Sequence, residues 1–347
     1  MSGAKVEFGH RRVVLAGGAA VVRVRSAAVT AVLAVIAVLL GCAALALGDY
    51  PVTVAQMIGA FTGATDGLER TAVLEWRLPR AASALAFGAA LGAAGAVFQT
   101  FTRNPLASPD VIGLASGSYT GMILVLIAGG GWAALTAGSL IGGFAAAAAI
   151  LLLASRDGLQ GFRFIVVGIG VSAMLSAFNT WLLLRAELDT ALFAAAWGAG
   201  TLNSATADNG WPAVVAVAVL LVAVVPVARG LRQLDLGDDA ARATGANTSV
   251  VRWAAIALAV ALVSVTTAVA GPISFIALSA PQIARRLCGT ATIPLAAAGA
   301  AGAMLLIAAD LIAQHLIPLT VPVGVVTVVL GGAYLIWLLA HEIRKAP

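Results

Sequence analysis

The sequence predicts an all-α polytopic membrane protein of about ten transmembrane helices, with both termini in the cytoplasm. Three observations carry that expectation. Of 347 residues, 61% are hydrophobic and only 10% charged, whereas a soluble domain carries about a quarter charged residues. Mean hydropathy is +1.02, and apolar runs of spanning length recur along the chain. Lys and Arg fall mainly on alternate connections, as the positive-inside rule requires.

Residues 1–26 read as a cytoplasmic N-terminal segment containing Lys5, Arg11, Arg12, Arg23 and Arg25. The apolar run 27–47 follows, and its LLGC at 39–42 faintly resembles a lipoprotein cleavage box. The basic segment is long, the run is of spanning length and further spans follow, so it reads as an uncleaved first helix rather than a signal peptide. Later spans are expected near 80–101, 111–129, 132–154, 163–184, 211–228, 250–270, 273–286, 295–316 and 322–340. The run 273–286 is short and begins at the helix-breaking pair Gly271-Pro272. Residues 27–347 thus read as one transmembrane domain. With the N-terminus inside, only Arg70, Arg77, Arg80 and Arg185 of the twenty Lys and Arg residues fall outside.

Small-residue runs such as GAALGAAGA (88–96) and GGFAAAAA (142–149) let helix backbones approach closely in lipid. Cys42 and Cys288 lie far apart and suggest neither a disulfide framework nor a metal site. The net charge of +5 belongs to the topology, since no soluble basic domain exists to bind nucleic acid. No phosphate-binding loop, HExxH or GxSxG motif occurs, so the chain has no means of hydrolysing ATP itself. His10, His315 and His341 are scattered near ends and form no catalytic cluster.

Four stretches carry more than topology. In EWRLPRAAS (75–83) Arg77 and Arg80 stand three apart beside Pro79, which suits a first helical turn. On the outer face these arginines suit either carboxylates of a partner or an interfacial anchoring role. FQTFTRNPLASPDVIG (98–113) contains two strong turn signals, Asn104-Pro105 and Ser108-Pro109, and Asp110 can cap the helix that follows. AGPISFIALSAPQIARRLCG (270–289) is broken by Gly271, Pro272 and Pro281, and irregular backbone at membrane depth must be covered by protein or line a cavity. AADLIAQHLIPLTVPVGVVT (308–327) places Asp310 in the outer half of its span. An intramembrane carboxylate there is a functional candidate or a structural partner for a neighbouring helix end.

Residues 234–246, LDLGDDAARATGA, form a charged island between apolar runs on the cytoplasmic side. Asp238 and Asp239 open a short helical stretch and Arg242 closes it, as the helix dipole prefers. Asp238 and Arg242 stand four apart and can pair. Gly245 suits a left-handed C-terminal cap. A helix of about two turns is too short to be stable alone and needs a docking surface.

These stretches resemble the iron-siderophore and vitamin B12 permease family of bacterial ABC importers. The likeness rests on RLPR (77–80), GAALGAAGAVFQ (88–99), RNPLASPDVIG (103–113), GPISFIALSAPQIARRL (271–287) and PVGVVTVVLGG (322–332). VGIGVSAMLSAFNTWLLLRAELDTAL (167–192) and ADLIAQHL (309–316) are most similar to the ferric enterobactin branch. The resemblance implies a type II ABC importer permease in the bacterial plasma (inner) membrane, and not an enzyme. Its implied partners are a second, homologous permease, two cytoplasmic ATPases holding ATP and Mg, and an extracytoplasmic siderophore-binding protein. The permease itself would bind no cofactor and no metal.

The resemblance also implies residue roles. Arg77 and Arg80 would meet acidic residues of the binding protein. Gln314 stands where some relatives carry a further docking arginine. The coupling segment, 234–247, would seat in the ATPase through Leu236, Gly237, Asp238, Asp239, Ala240, Arg242, Thr244 and Gly245. Pathway or gating candidates are Gln99, Asn104, Pro105, Asn179, Gly271, Pro272, Pro281, Gln282 and Asp310. Gln282 replaces the histidine of many relatives, which argues against an essential titrating group there. A haem or cobalamin permease of the same family is the nearest alternative. A secondary transporter would need facing charges inside several spans, and Asp310 alone is clearly so placed.

Overall fold

Each expected span coincides with a helix, and the computed structural model describes residues 12–15, 20–48, 50–110, 113–155, 161–234, 237–243, 245, 247–317 and 321–343. An antiparallel hairpin precedes the bundle, with β1 (Arg12–Leu15) paired to β2 (Ala20–Arg23) and Arg12 opposite Arg23. Its β-branched RVVL and AVVR runs flank a Gly-Gly pair, a hairpin signal that the reading as a plain basic segment passed over. Helix α1 (Val24–Ala46) starts directly after it, three residues earlier than expected.

On the outer side lie α2 (Val54–Thr62), opened by a Thr53–Gln56 capping box, and the single turn α3 (Leu68–Thr71). A π-helical segment, Ala72–Arg77, joins α3 to α4 (Leu78–Thr102), so the second crossing starts well before residue 80. The chain then threads α5 (Leu114–Ile127), α6 (Trp132–Ala154) and α7 (Gly161–Arg185). The outer helix α8 (Leu188–Gly198) leads into α9 (Ala207–Leu234). On the inner side sits α10 (Asp238–Ala243), followed by α11 (Thr248–Ala270), α12 (Ile276–Cys288) and α13 (Leu295–Leu311). A second π-helical segment, Ile312–Leu316, extends α13, and α14 (Val323–Ile343) completes the bundle.

Seven of these crossings are long and apolar enough to span a membrane by length and composition among the described residues. Helices α5 and α12 are shorter, with 14 and 13 residues, so each rises about 20 Å against a hydrocarbon thickness of ~30 Å. The non-helical stretches 103–110 and 271–275 must therefore carry the chain part of the way. The two meet, because the Phe275 N–H donates to Asp110 Oδ2 at 3.2 Å. Asp110 was expected to cap the helix that follows it. Instead it reaches the start of α12, since a carboxylate is favoured at a helix N-terminus and bare backbone at this depth needs a partner.

The most extensive helix pairing is α4 on α13. A Cβ on Gly302 would run into the carbonyl oxygen of Gly88, and one on Gly92 into that of Ala298. Absence of side chains here is what brings the two backbones together. The prediction is asymmetric. Gly302→Ala should lower the thermal midpoint of the detergent-purified protein, an overpacking penalty of about 1–3 kcal/mol. Gly332→Ala, inside α14 with open space around it, should keep or slightly raise the midpoint, since Ala favours a helix over Gly. Equal midpoints for the two variants would contradict close α4–α13 packing.

Candidate functional site

Two side-chain constellations stand out, one at each end of α4. At the outer end, Arg80 donates from Nε to Asp310 Oδ2 at 3.0 Å and from Nη2 to Asp310 Oδ1 at 2.7 Å. Its Nη1 donates to the side-chain oxygen of Asn203. Gln314 Nε2 donates to Asp310 Oδ2 at 2.6 Å. Asp310 is only 1% exposed, while the Arg80 side chain retains 20% of its surface.

Local sequence explains the placement. Arg80 lies in the first turn of α4, where Pro79 leaves no unmet N–H. Asp310 is the penultimate residue of α13, and Gln314 follows one turn later in the π-helical segment. A π-helical segment thus abuts the pair on each helix, an arrangement frequent at functional sites. The pair is strong because a forked guanidinium–carboxylate contact combines geometry with electrostatics. Asn203 had not been singled out from the sequence. The dense polar run LNSATADNG (202–210), between two apolar helices, was the signal available.

Arg77 stands apart from this cluster. It donates to the carbonyls of Leu45 at 3.0 Å, Ala46 at 3.4 Å and Tyr50, closing the end of α1. A cation at a helix C-terminus satisfies its open carbonyls.

Beside the outer cluster a cavity of ≈ 700 Å³ is lined by Trp132, Phe193, Trp197, Asn203, Asn209 and Pro322, among others. Its wall is pinned from below. Thr201 N–H donates to Ala270 O at 2.7 Å, Ser204 Oγ to Val269 O at 2.8 Å, and Gly324 N–H to Gly200 O at 3.0 Å. Gly271 adopts φ 70, and a Cβ there would strike the Trp197 carbonyl oxygen, so only glycine fits this turn. Pro272 follows it, and Pro281 is buried inside α12.

Within the bundle the remaining candidates divide into separate contacts. Gln282 Nε2 donates to Gln99 Oε1, and Gln99 Nε2 to Leu278 O at 3.0 Å, so both buried amides are satisfied between α4 and α12. Asn179 on α7 accepts from Thr120 Oγ1 at 2.7 Å and donates to Ser116 O at 3.2 Å. Asn104 turns the inner loop by accepting from the Leu106 N–H at 2.9 Å, with Pro105 inside that turn.

At the inner end, Arg103 Nη2 donates to Leu234 O at 3.2 Å, tying α4 to the last residue of α9. Next comes Gly237, with φ 101, and then the six-residue α10. Ala241 is buried in the main core, while Asp239, Ala240 and Arg242 are exposed. Gly245 has φ 84 and its N–H donates to Arg242 O at 2.9 Å, the left-handed cap that the sequence suggested. Asn247 caps α11 by accepting from the Val250 N–H at 3.1 Å. Leu236, Thr244 and the Asp238 side chain lie outside the described residues, and with them the expected Asp238–Arg242 pair.

Residues 33–341 match the model of the FecCD transport family. The chain belongs to that family. It is 46% identical over 300 residues to the ferric enterobactin transport system permease protein FepG of Escherichia coli (strain K12), covering 86% of this chain and 91% of that protein. It is 33% identical over 291 residues to the probable siderophore transport system permease protein YfhA of Bacillus subtilis (strain 168), covering 80% and 84%. The fold matches a solved metal-chelate type ABC transporter in an inward-facing conformation, with TM-score 0.78, 24% identity and coverage of 92% and 100%. As a FecCD transport protein the chain is a multi-pass plasma-membrane permease, a transport component without catalytic activity of its own. FecCD permeases are ABC importer subunits that work with ATPase and binding-protein partners.

The outer ion pair makes an unequal prediction for its two members. Arg80→Ala strands a buried carboxylate with Gln314 as its one remaining partner among the described residues, a loss of about 3–5 kcal/mol. Asp310→Asn leaves an arginine that can reach water and should cost about 1–2 kcal/mol. Thermal unfolding in lipid nanodiscs should rank Arg80→Ala well below Asp310→Asn, and the reverse ranking would refute the burial argument.

Proposed function

We propose that this chain is the transmembrane permease subunit of an ATP-driven importer of ferric siderophores, of the catecholate, enterobactin-like kind. The observation that carries this reading is the 46% identity, over 86% of the chain, to a permease named for ferric enterobactin. A second, homologous permease would complete the pathway. The exposed apolar faces of α7 (Phe162, Met174, Leu184) and α9 (Val215, Val219, Val222) are suited to such a partner or to lipid. Outside, an iron-chelate-binding protein would dock on the surface that includes Arg77, Arg80 and Gln314. Inside, α10 and its flanking glycines would seat in an ATPase that holds ATP and Mg.

The geometry supports a mechanical link between the two faces. Helix α10 hangs between α9 and α11 with Ala241 as its anchor. The end of α9 is bonded through Leu234 to Arg103 at the inner end of α4. The same helix carries Arg80 at its outer end and Gln99 against α12 along its length. A displacement of α10 by the ATPase would therefore act on α4, and α4 would pass it to the Asp310 end of α13. The substrate crosses without covalent change.

The test is uptake by the reconstituted complex of both permeases and ATPases, supplied with loaded binding protein. Ferric catecholate should accumulate only with hydrolysable ATP. Ala241→Asp, which places a charge where α10 meets the core, should cut uptake at least ~10-fold while binding-protein association is retained. Uptake driven by a proton or sodium gradient without ATPase would sink this assignment.

A further inference from the structure

We propose that Asp310 is a resident competitor at the outer docking surface, a built-in carboxylate that limits how tightly an acidic partner binds Arg80. This inference rests on the reading that Arg80 receives a carboxylate of the binding protein. It concerns what that carboxylate meets on arrival.

A guanidinium has five N–H groups. Three of those on Arg80 are engaged, two with Asp310 and one with Asn203. Among the described residues two therefore have no acceptor, on a side chain that is one-fifth exposed. An incoming carboxylate can use them, but it approaches a cation already neutralised by Asp310. Displacing Asp310 is not an easy alternative. It is 1% exposed, and without Arg80 its partner is the neutral amide of Gln314, so its charge would be left in a dry site. The resident carboxylate therefore stays, and its negative charge repels the arriving one across a shared arginine.

The consequence runs against the usual expectation for a buried ion pair. Removing the Asp310 charge should strengthen partner binding, because Arg80 regains its full attraction. A transport cycle requires the emptied binding protein to leave, and a resident competitor keeps that contact weak. Gln314 acts in the same network by holding Oδ2 of Asp310.

The experiment measures association of the loaded binding protein with the complete permease–ATPase complex in nanodiscs at low and high salt. Wild type is compared with Asp310→Asn, the double variant Asp310→Asn/Arg80→Gln, Asp310→Ser, and Asp310→Ser/Arg80→Gln. Asp310→Asn should bind on the order of tenfold tighter at low salt, with a steeper salt dependence. The double variant should lose that gain and fall below wild type. If the double variant is weaker than Asp310→Asn, but Asp310→Asn is no tighter than wild type, docking at Arg80 stands and the competitor role is overturned. If Asp310→Asn and the double variant bind alike, the docking reading itself fails. Asp310→Ser, which also removes the charge, covers the case in which Asp310→Asn does not assemble. It should also tighten binding, and the gain should disappear with Arg80→Gln. A gain that persists without Arg80 overturns the proposal.

Discussion

A carboxylate buried at the outer end of a membrane helix is the constraint around which the permease is arranged. Burying a carboxylate is costly unless a partner is held close, and Arg80 meets Asp310 with a fork of two hydrogen bonds. That requirement fixes the outer end of α4 against the outer end of α13. Along the rest of their length the two helices are held by absence, since glycines at 88, 92 and 302 let backbone meet backbone. An ion pair at one end and close packing below it make α4 and α13 a rigid pair. Asn203 and Gln314 then attach the outer loop and the π-helical segment to the same point.

The second constraint is backbone polarity at depth. Helices α5 and α12 are too short to cross, so each is preceded by irregular chain whose N–H and C=O groups need partners. Asp110 supplies one by bonding the Phe275 N–H, 165 residues away in sequence. Gly271 and Gly200 allow the outer approach to α12 to lie directly against α8 and the start of α14. Helix α4 in turn packs against both α12 and α9. One helix therefore touches the outer cluster, the buried amide pair and the end of α9.

Much of this was legible in the sequence because it follows from local rules. Apolar run length located the spans, Pro79 marked a first turn, and Gly245 marked a left-handed cap. Three residues of the outer cluster were also visible singly, as an arginine outside, a carboxylate inside a span and a glutamine near it, while Asn203 was not. Their union was not visible, because Arg80 and Asp310 are 230 residues apart and no local pattern encodes a long-range pair. For the same reason Asp110 was assigned to the helix beside it rather than to α12. Helix α8 and the N-terminal hairpin were passed over for a different reason. Each is short, and apolar pattern over so few residues does not distinguish a surface element from a connection.

The role of the outer cluster depends on where Arg80 points in the assembled importer. A side-chain-resolved structure of the full complex in lipid, with and without the binding protein docked, measures this directly. The account predicts that Arg80 Nε and Nη2 remain within hydrogen-bond distance of Asp310 in both states, with a partner carboxylate added on the remaining N–H groups when docked. An Arg80 turned away from a still-buried Asp310, with another group holding that carboxylate, would contradict it.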